Sequence, residues 1–100
     1  MTRLPIKYRL SLSAEHDLEE IFDYTVREFG IDQAITYVSD FEEVFASLAA
    51  HPELGRKRDE IRNGLRSFIK NRHIIFYRIF KSHLIIVRIL HCSRDIIKFV

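Results

Sequence analysis

LRSFIKNRHIIFYRIFKSHLIIVRIL, Leu65–Leu90, is the stretch that decides the fold. It holds LRSFIK, HIIFYRIF and LIIVRIL, rich in β-branched and aromatic side chains and separated by short polar breaks at Asn71-Arg72 and Lys81-Ser82-His83. Such side chains pack well on a pleated surface, so each run is expected to be a strand. Breaks this short join strands as hairpins, which predicts an antiparallel meander. The later runs are apolar on both faces and should lie centrally in the sheet.

Upstream, the period changes from two to about 3.6. Leu18, Ile21, Phe22, Thr25 and Phe29 fall at helical spacing and predict a first helix from Ala14 to about Phe29. Ser13 is the expected N-cap, with Glu15 and Asp17 in the first turn, where the helix dipole favours negative charge. Gly30 should end this helix in a left-handed conformation, and Asp32 should cap the next. Ala34, Tyr37, Val38, Phe41, Val44, Phe45, Leu48 and Ala49 form that second helix's apolar stripe. His51-Pro52 closes it, since proline disfavours helical geometry in the residue before it. With so short a link, the helices should pack as an antiparallel hairpin.

At the N-terminus, Lys7–Leu12 (KYRLSL) alternates, with Tyr8, Leu10 and Leu12 on one face, as in a half-buried strand. The polar, basic segment Pro52–Gly64 reads as a connection with at most a helical turn. The order is therefore β-α-α-β-β-β, an α+β fold in two layers, with a helix hairpin packed on an antiparallel sheet. One domain spans the 100 residues, with no internal repeat, low-complexity tract or linker.

A hydrophobic content of 47% with 30% charged residues predicts a folded chain rather than a disordered one. No apolar run approaches the roughly 20 residues of a membrane-spanning helix, and MTRLPIKYRL lacks a signal-peptide core. The lone Cys92 cannot form an internal disulfide, which agrees with a reducing, cytoplasmic setting. The net charge of +2 hides an asymmetry, −6 in residues 1–50 and +8 in residues 51–100. Either the basic half meets an anionic partner, or the halves neutralise each other across the fold.

The stretch RILHCSRD, Arg88–Asp95, gathers residues that often do chemistry. His91 and Cys92 are adjacent and point to opposite faces of a strand, and the other histidines are scattered, so no metal site is expected. No nucleophile elbow surrounds Ser93, and no glycine-rich phosphate loop exists. His91, Ser93 and Asp95 are read as bonding to each other and to backbone at a strand end. No catalytic residue and no cofactor are assigned. The remaining candidate is a basic surface. Arg56, Arg58, Arg66, Phe68, Arg88, His91 and Arg94 are the expected partner-binding residues. If Arg66, Phe68 and Arg88 lie on the sheet face away from the helices, they form a concave cationic surface for RNA, DNA or an acidic peptide. The alternative is a solvated face with scattered arginines.

The motifs P-x-L-G-R (52–56), I-R-x-G-L-R-S-F (61–68), R-H-x-I-F-Y-R (72–78) and R-I-L-H-x-S-R-D (88–95) occur in order behind LSLSAEHDLEEIFDYTVREFG (10–30). Together they resemble the ParE toxins of the RelE/ParE superfamily of bacterial type II toxin–antitoxin systems. The resemblance covers nearly the whole chain. It implies the same β-α-α-β-β-β fold, poisoning of DNA gyrase through its cleaved DNA complex, and neutralisation by a cognate antitoxin with a flexible tail. The RelE branch implies the alternative, cutting of messenger RNA on the ribosome. That chemistry needs a set of acid, base and charge-stabilising groups. Arg88 sits where a family arginine is expected, but the tail lacks the C-terminal tyrosine of several RelE members, and Tyr77 belongs to a central strand. The resemblance therefore implies binding without catalysis.

Overall fold

A computed structural model describes residues 6–93, Lys98 and Val100. Strand β1 (Lys7–Leu10) leads into helices α1 (Leu12–Phe29) and α2 (Ile31–Ala50). A single 3₁₀ turn (Pro52–Leu54) precedes β2 (Arg56–Lys57), β3 (Leu65–Lys70), β4 (His73–Ile79) and β5 (His83–His91). The sheet order is β1-β5-β4-β3-β2, with the helix hairpin packed on one face, so the two-layer α+β architecture is present.

The sheet is mixed rather than antiparallel, because β1 pairs parallel with β5 from Lys7 beside His83 to Leu10 beside Ile86. The reason is parity. The helix hairpin returns the chain to the sheet end it left. Strands β2, β3, β4 and β5 then alternate in direction, and the fourth runs with β1. The two-residue β2 sets that parity, and Arg-Lys is too short to show any alternation.

The helix starts also differ from expectation. Strand β1 stops at Leu10, and Ser11 rather than Ser13 caps α1, its Oγ accepting from the Ala14 N–H at 3.0 Å. Helix α2 has no side-chain cap; Asp32 lies inside its first turn and Gly30 stands at its start. Gly30 has φ 93°, a conformation open to glycine, and this one residue turns α1 into α2. It donates its N–H to Val26 O and accepts from Ala34 N–H.

Phe41, Phe45 and Leu48 of α2 and Ala14 and Ile21 of α1 bury against Ile75, Tyr77, Leu84, Ile86 and Ile89. Each fully buried large side chain contributes about 1.5–3 kcal/mol over its exposed state. The opposite sheet face carries a smaller cluster of Leu65, Phe76 and Leu90, with Ile61, Ile74, Val87 and Val100 packed against it.

Candidate functional site

The site grows from a problem of backbone hydrogen bonding. β1 ends at Leu10, so β5 loses its neighbour beyond Ile86, and its next polar groups need other partners. The N-terminus of α1 supplies them. Ser11 N–H donates to Ile86 O at 2.9 Å, and Ser11 Oγ donates to Val87 O at 2.8 Å. Asp17 Oδ2 accepts the Ile89 N–H at 2.9 Å. The β4–β5 register jumps here, from Phe76 beside Arg88 to Tyr77 beside Ile86, leaving Val87 as a bulge residue.

The bulge re-aims Arg88. Its Nε donates to Asp17 Oδ2 at 2.8 Å and an Nη donates to Oδ1 at 2.9 Å, a bidentate fork. The bond to Asp17 raises the pKa of Arg88 above its ordinary value, against the opposing effect of burial. Asp17 is only 8% exposed and satisfies both a guanidinium and a backbone donor. The sequence signal for it was its position: with Ile21 and Thr25 it falls at intervals of four on the buried face of α1.

Past the bulge, His91 faces His73 across the β4–β5 ladder, ring edge to ring face, with centroids 5.3 Å apart. Phe41 and Tyr37 wall the other side of His73, and the Tyr37 hydroxyl lies 3.4 Å from its Nδ1. His91 Nδ1 lies 2.7 Å from Ser93 Oγ and accepts the Ser93 N–H at 3.1 Å. A backbone donor on Nδ1 leaves the proton of the neutral ring on Nε2. This is a closed turn at the strand end, as expected for His91 and Ser93. Arg94 and Asp95 lie outside the described residues.

Tyr37, His73, His91 and Ser93 border an open cleft of about 740 Å³ between α1, α2 and the ends of β4 and β5, lined also by Glu20, Tyr24, Phe29 and Arg72. Asp17, the carboxylate that holds Arg88, lines it together with His91. Burial holds the His73 pKa below its ordinary value, with repulsion from His91 second and Asp17 pulling the other way. The unfolded chain therefore binds this proton at higher pH than the folded chain does. The stability contributed is complete above the unfolded value, near 6.5, and is lost as pH falls below it. Melting at about pH 5.5 should occur below melting at about pH 7.5, and His73→Gln should narrow the gap. An unchanged gap in that variant would count against His73 as the source.

A second groove, about 440 Å³, runs along α1 on an apolar floor of Leu10, Leu18, Phe22 and Val38. Glu15, Glu19 and Asp23, at intervals of four, form its acidic lip.

The concave cationic face is not formed. Arg66 and Phe68 pair with Tyr77 and Ile75 and share their helix-facing side of the sheet; Phe68 packs on the main core. The outward side at β3 belongs instead to Leu65 and to Ser67, which Arg58 reaches. Arg66 Nη1 donates to Gly55 O at 2.7 Å, and Arg58 is held by Glu60 and Ser67. Arg56 is exposed on β2. The structure thus separates these residues into an edge, a core wall and a clamp. Strand alternation alone could not show this, because it does not say which face the helices cover.

Sequence reasoning also missed Gly55. Tyr77, fully buried, donates its hydroxyl to Pro52 O at 2.6 Å and accepts the Gly55 N–H at 2.8 Å. The conjunction of P-x-L-G-R with F-Y-R was the available signal, and its meaning needed the two segments side by side.

Comparison with known proteins adds the family. Residues 8–96 match the family model described as the ParE toxin of the type II toxin–antitoxin system, parDE. Toxin ParE1 of Mycobacterium tuberculosis is 40% identical over 91 residues, covering 90% of this chain and 93% of that protein. Toxin ParE1 of Caulobacter vibrioides is 34% identical over 88 residues, covering 88% and 91%. Among solved structures, the chromosomal ParDE toxin–antitoxin system from P. aeruginosa superposes with a TM-score of 0.75 at 23% identity, covering 86% of this chain and 95% of that one. The toxin–antitoxin complex RelBE2 from Mycobacterium tuberculosis gives 0.61 at 20% identity, covering 88% and 99%. These two likenesses concern the fold.

Proposed function

We propose, for a chain that belongs to the ParE toxin family of type II toxin–antitoxin systems, that it poisons DNA gyrase by binding and is neutralised by a cognate antitoxin. The observation that carries the reading is the family match over residues 8–96. The clamped Arg88 agrees with action by binding, since a guanidinium forked on Asp17 is already committed to the fold. The α1 groove supplies the antitoxin side. Its apolar floor and acidic lip suit an amphipathic helix with basic flanks, which a disordered antitoxin tail forms as it docks.

The test is a paired assay on the purified chain. With gyrase, ATP and supercoiled plasmid, linear DNA should accumulate and should disappear when antitoxin is added. Translating ribosomes run in parallel should keep their messenger RNA intact. Unchanged gyrase cleavage at concentrations that arrest growth would sink the proposal.

A further inference from the structure

The charges of this chain are sorted by layer. From Ser11 to Ala50, ten carboxylates stand against a single cation, Arg27. From Arg56 to Arg78, eight cations stand against Asp59 and Glu60. The fold keeps the two sets apart. Helices α1 and α2 sit over β1 and β5, while β3 and β2 form the opposite edge of the sheet.

At that edge Arg56, Lys57, Arg62 and Lys70 make no side-chain hydrogen bond or ion pair among the described residues, and all but the half-buried Lys70 are exposed. Arg66 and Arg78 are fixed on the carbonyls of Gly55 and Asn63, which orients each guanidinium without cancelling its charge. Among the described residues of this edge, Arg58 is the cation held in an ion pair, with Glu60. Asp59 is turned to the Gly64 N–H. The uncommitted cations follow the strand. Lys57 lies beside Arg66 and Arg56 beside Ser67, and β3 then runs on to Lys70. Six residues of strand span roughly 20 Å, and one DNA strand presents a phosphate about every 3.4 Å along the axis.

We propose that the β2–β3 edge binds the phosphate backbone of duplex DNA without reading its sequence. A single-stranded ligand would call for exposed aromatic side chains on which bases stack. The exposed large apolar residue of β3 is Ile69, and Phe68 is turned into the core. The acidic helix layer repels a polyanion, so the field turns the edge toward the duplex and the helices away from it. This site goes beyond the gyrase reading and does not rest on it.

The measurement is fluorescence anisotropy of a labelled duplex of about 20 base pairs, titrated with the full-length chain between about 50 and 200 mM salt. Binding should be measurable at the low-salt end, and log affinity should fall with log salt at a slope of about −3 to −4, near 0.9 per phosphate. The triple variant R56E/K57E/R62E should lose about tenfold or more in affinity and flatten the slope by roughly three. Its melting temperature should hold, since these side chains support no other residue. Arg27→Glu, in the helix layer, should bind as the parent does. The proposal is overturned if the parent does not bind duplex at low salt, if the triple variant binds equally well, or if single-stranded DNA or polyglutamate binds more tightly. Duplex binding with gyrase untouched would remove the gyrase reading and keep this site; gyrase poisoning without duplex binding would do the reverse.

Discussion

Asp17→Ala should destabilise the fold by about 3–5 kcal/mol, the usual result of breaking a buried ion pair from one side. The carboxylate serves three donors, Nε and Nη of Arg88 and the Ile89 N–H. Removing it takes the bidentate carboxylate away from Arg88 and leaves the Ile89 N–H without its acceptor. Arg88's side chain is 20% exposed, so water relieves part of the loss and the lower end of the range applies. Asp17→Asn keeps one acceptor and should cost about 1–2 kcal/mol less. The double variant D17A/R88A removes both charges but still orphans Ile89 N–H, so it should remain below the parent by about 1–3 kcal/mol. Urea unfolding decides this. With a slope of about 1–3 kcal/mol per molar, the Asp17→Ala midpoint should move by about 1 M or more. A midpoint within error of the parent would mean that the α1–β5 clamp does not hold the fold together.

Gly55→Ala should cost about 3 kcal/mol or more. A Cβ there would run into the Tyr77 hydroxyl, with ring carbons Cε1 and Cζ at 2.6 and 2.7 Å. Tyr77 is fully buried between the 3₁₀ turn and the core and has no free direction in which to yield. Either Tyr77 shifts and loses both hydrogen bonds, or the segment Pro52–Arg56 lifts from the sheet and takes β2 with it. Tyr77→Phe alone should cost less, about 1–3 kcal/mol, because it orphans Gly55 N–H and Pro52 O without a clash. Adding Tyr77→Phe to Gly55→Ala should rescue little, since the ring carbons remain too close. Full rescue would show that the hydroxyl alone excludes the methyl. Thermal melts of the three variants separate these outcomes.

Legibility differed by the kind of information each residue carries. Phe41, Phe45 and Leu48 recur at helical spacing, and that period identifies a core-facing helix wherever it lies. HIIFYRIF and LIIVRIL are apolar on both sides, and both faces of the sheet are indeed covered, by the helices and by the cluster around Phe76. Ser11 and Ser13 are chemically equal as caps. What separates them is the end of β1 and the Val87 carbonyl, 76 residues away. His91 and Ser93 were readable as a local closure because they are two residues apart. Arg88 was not, because its partner Asp17 is 71 residues distant and carries no local mark beyond its place on a buried helix face.

By itself, then, the amino-acid sequence determined the helix hairpin, the meander, the family and the split between acidic and basic segments. All of these reside in periods, motifs or sums along the chain. Only the tertiary structure decided that β1 runs parallel to β5, since strand direction depends on how many strands follow the hairpin, and β2 is too short to be counted from sequence. It also decided that Arg88 clamps α1 to β5, that Phe68 faces the helices, and that the uncommitted cations line the β2–β3 edge. Each of these depends on which face or edge another element covers, and that is a property of packing across the fold rather than of any segment read alone.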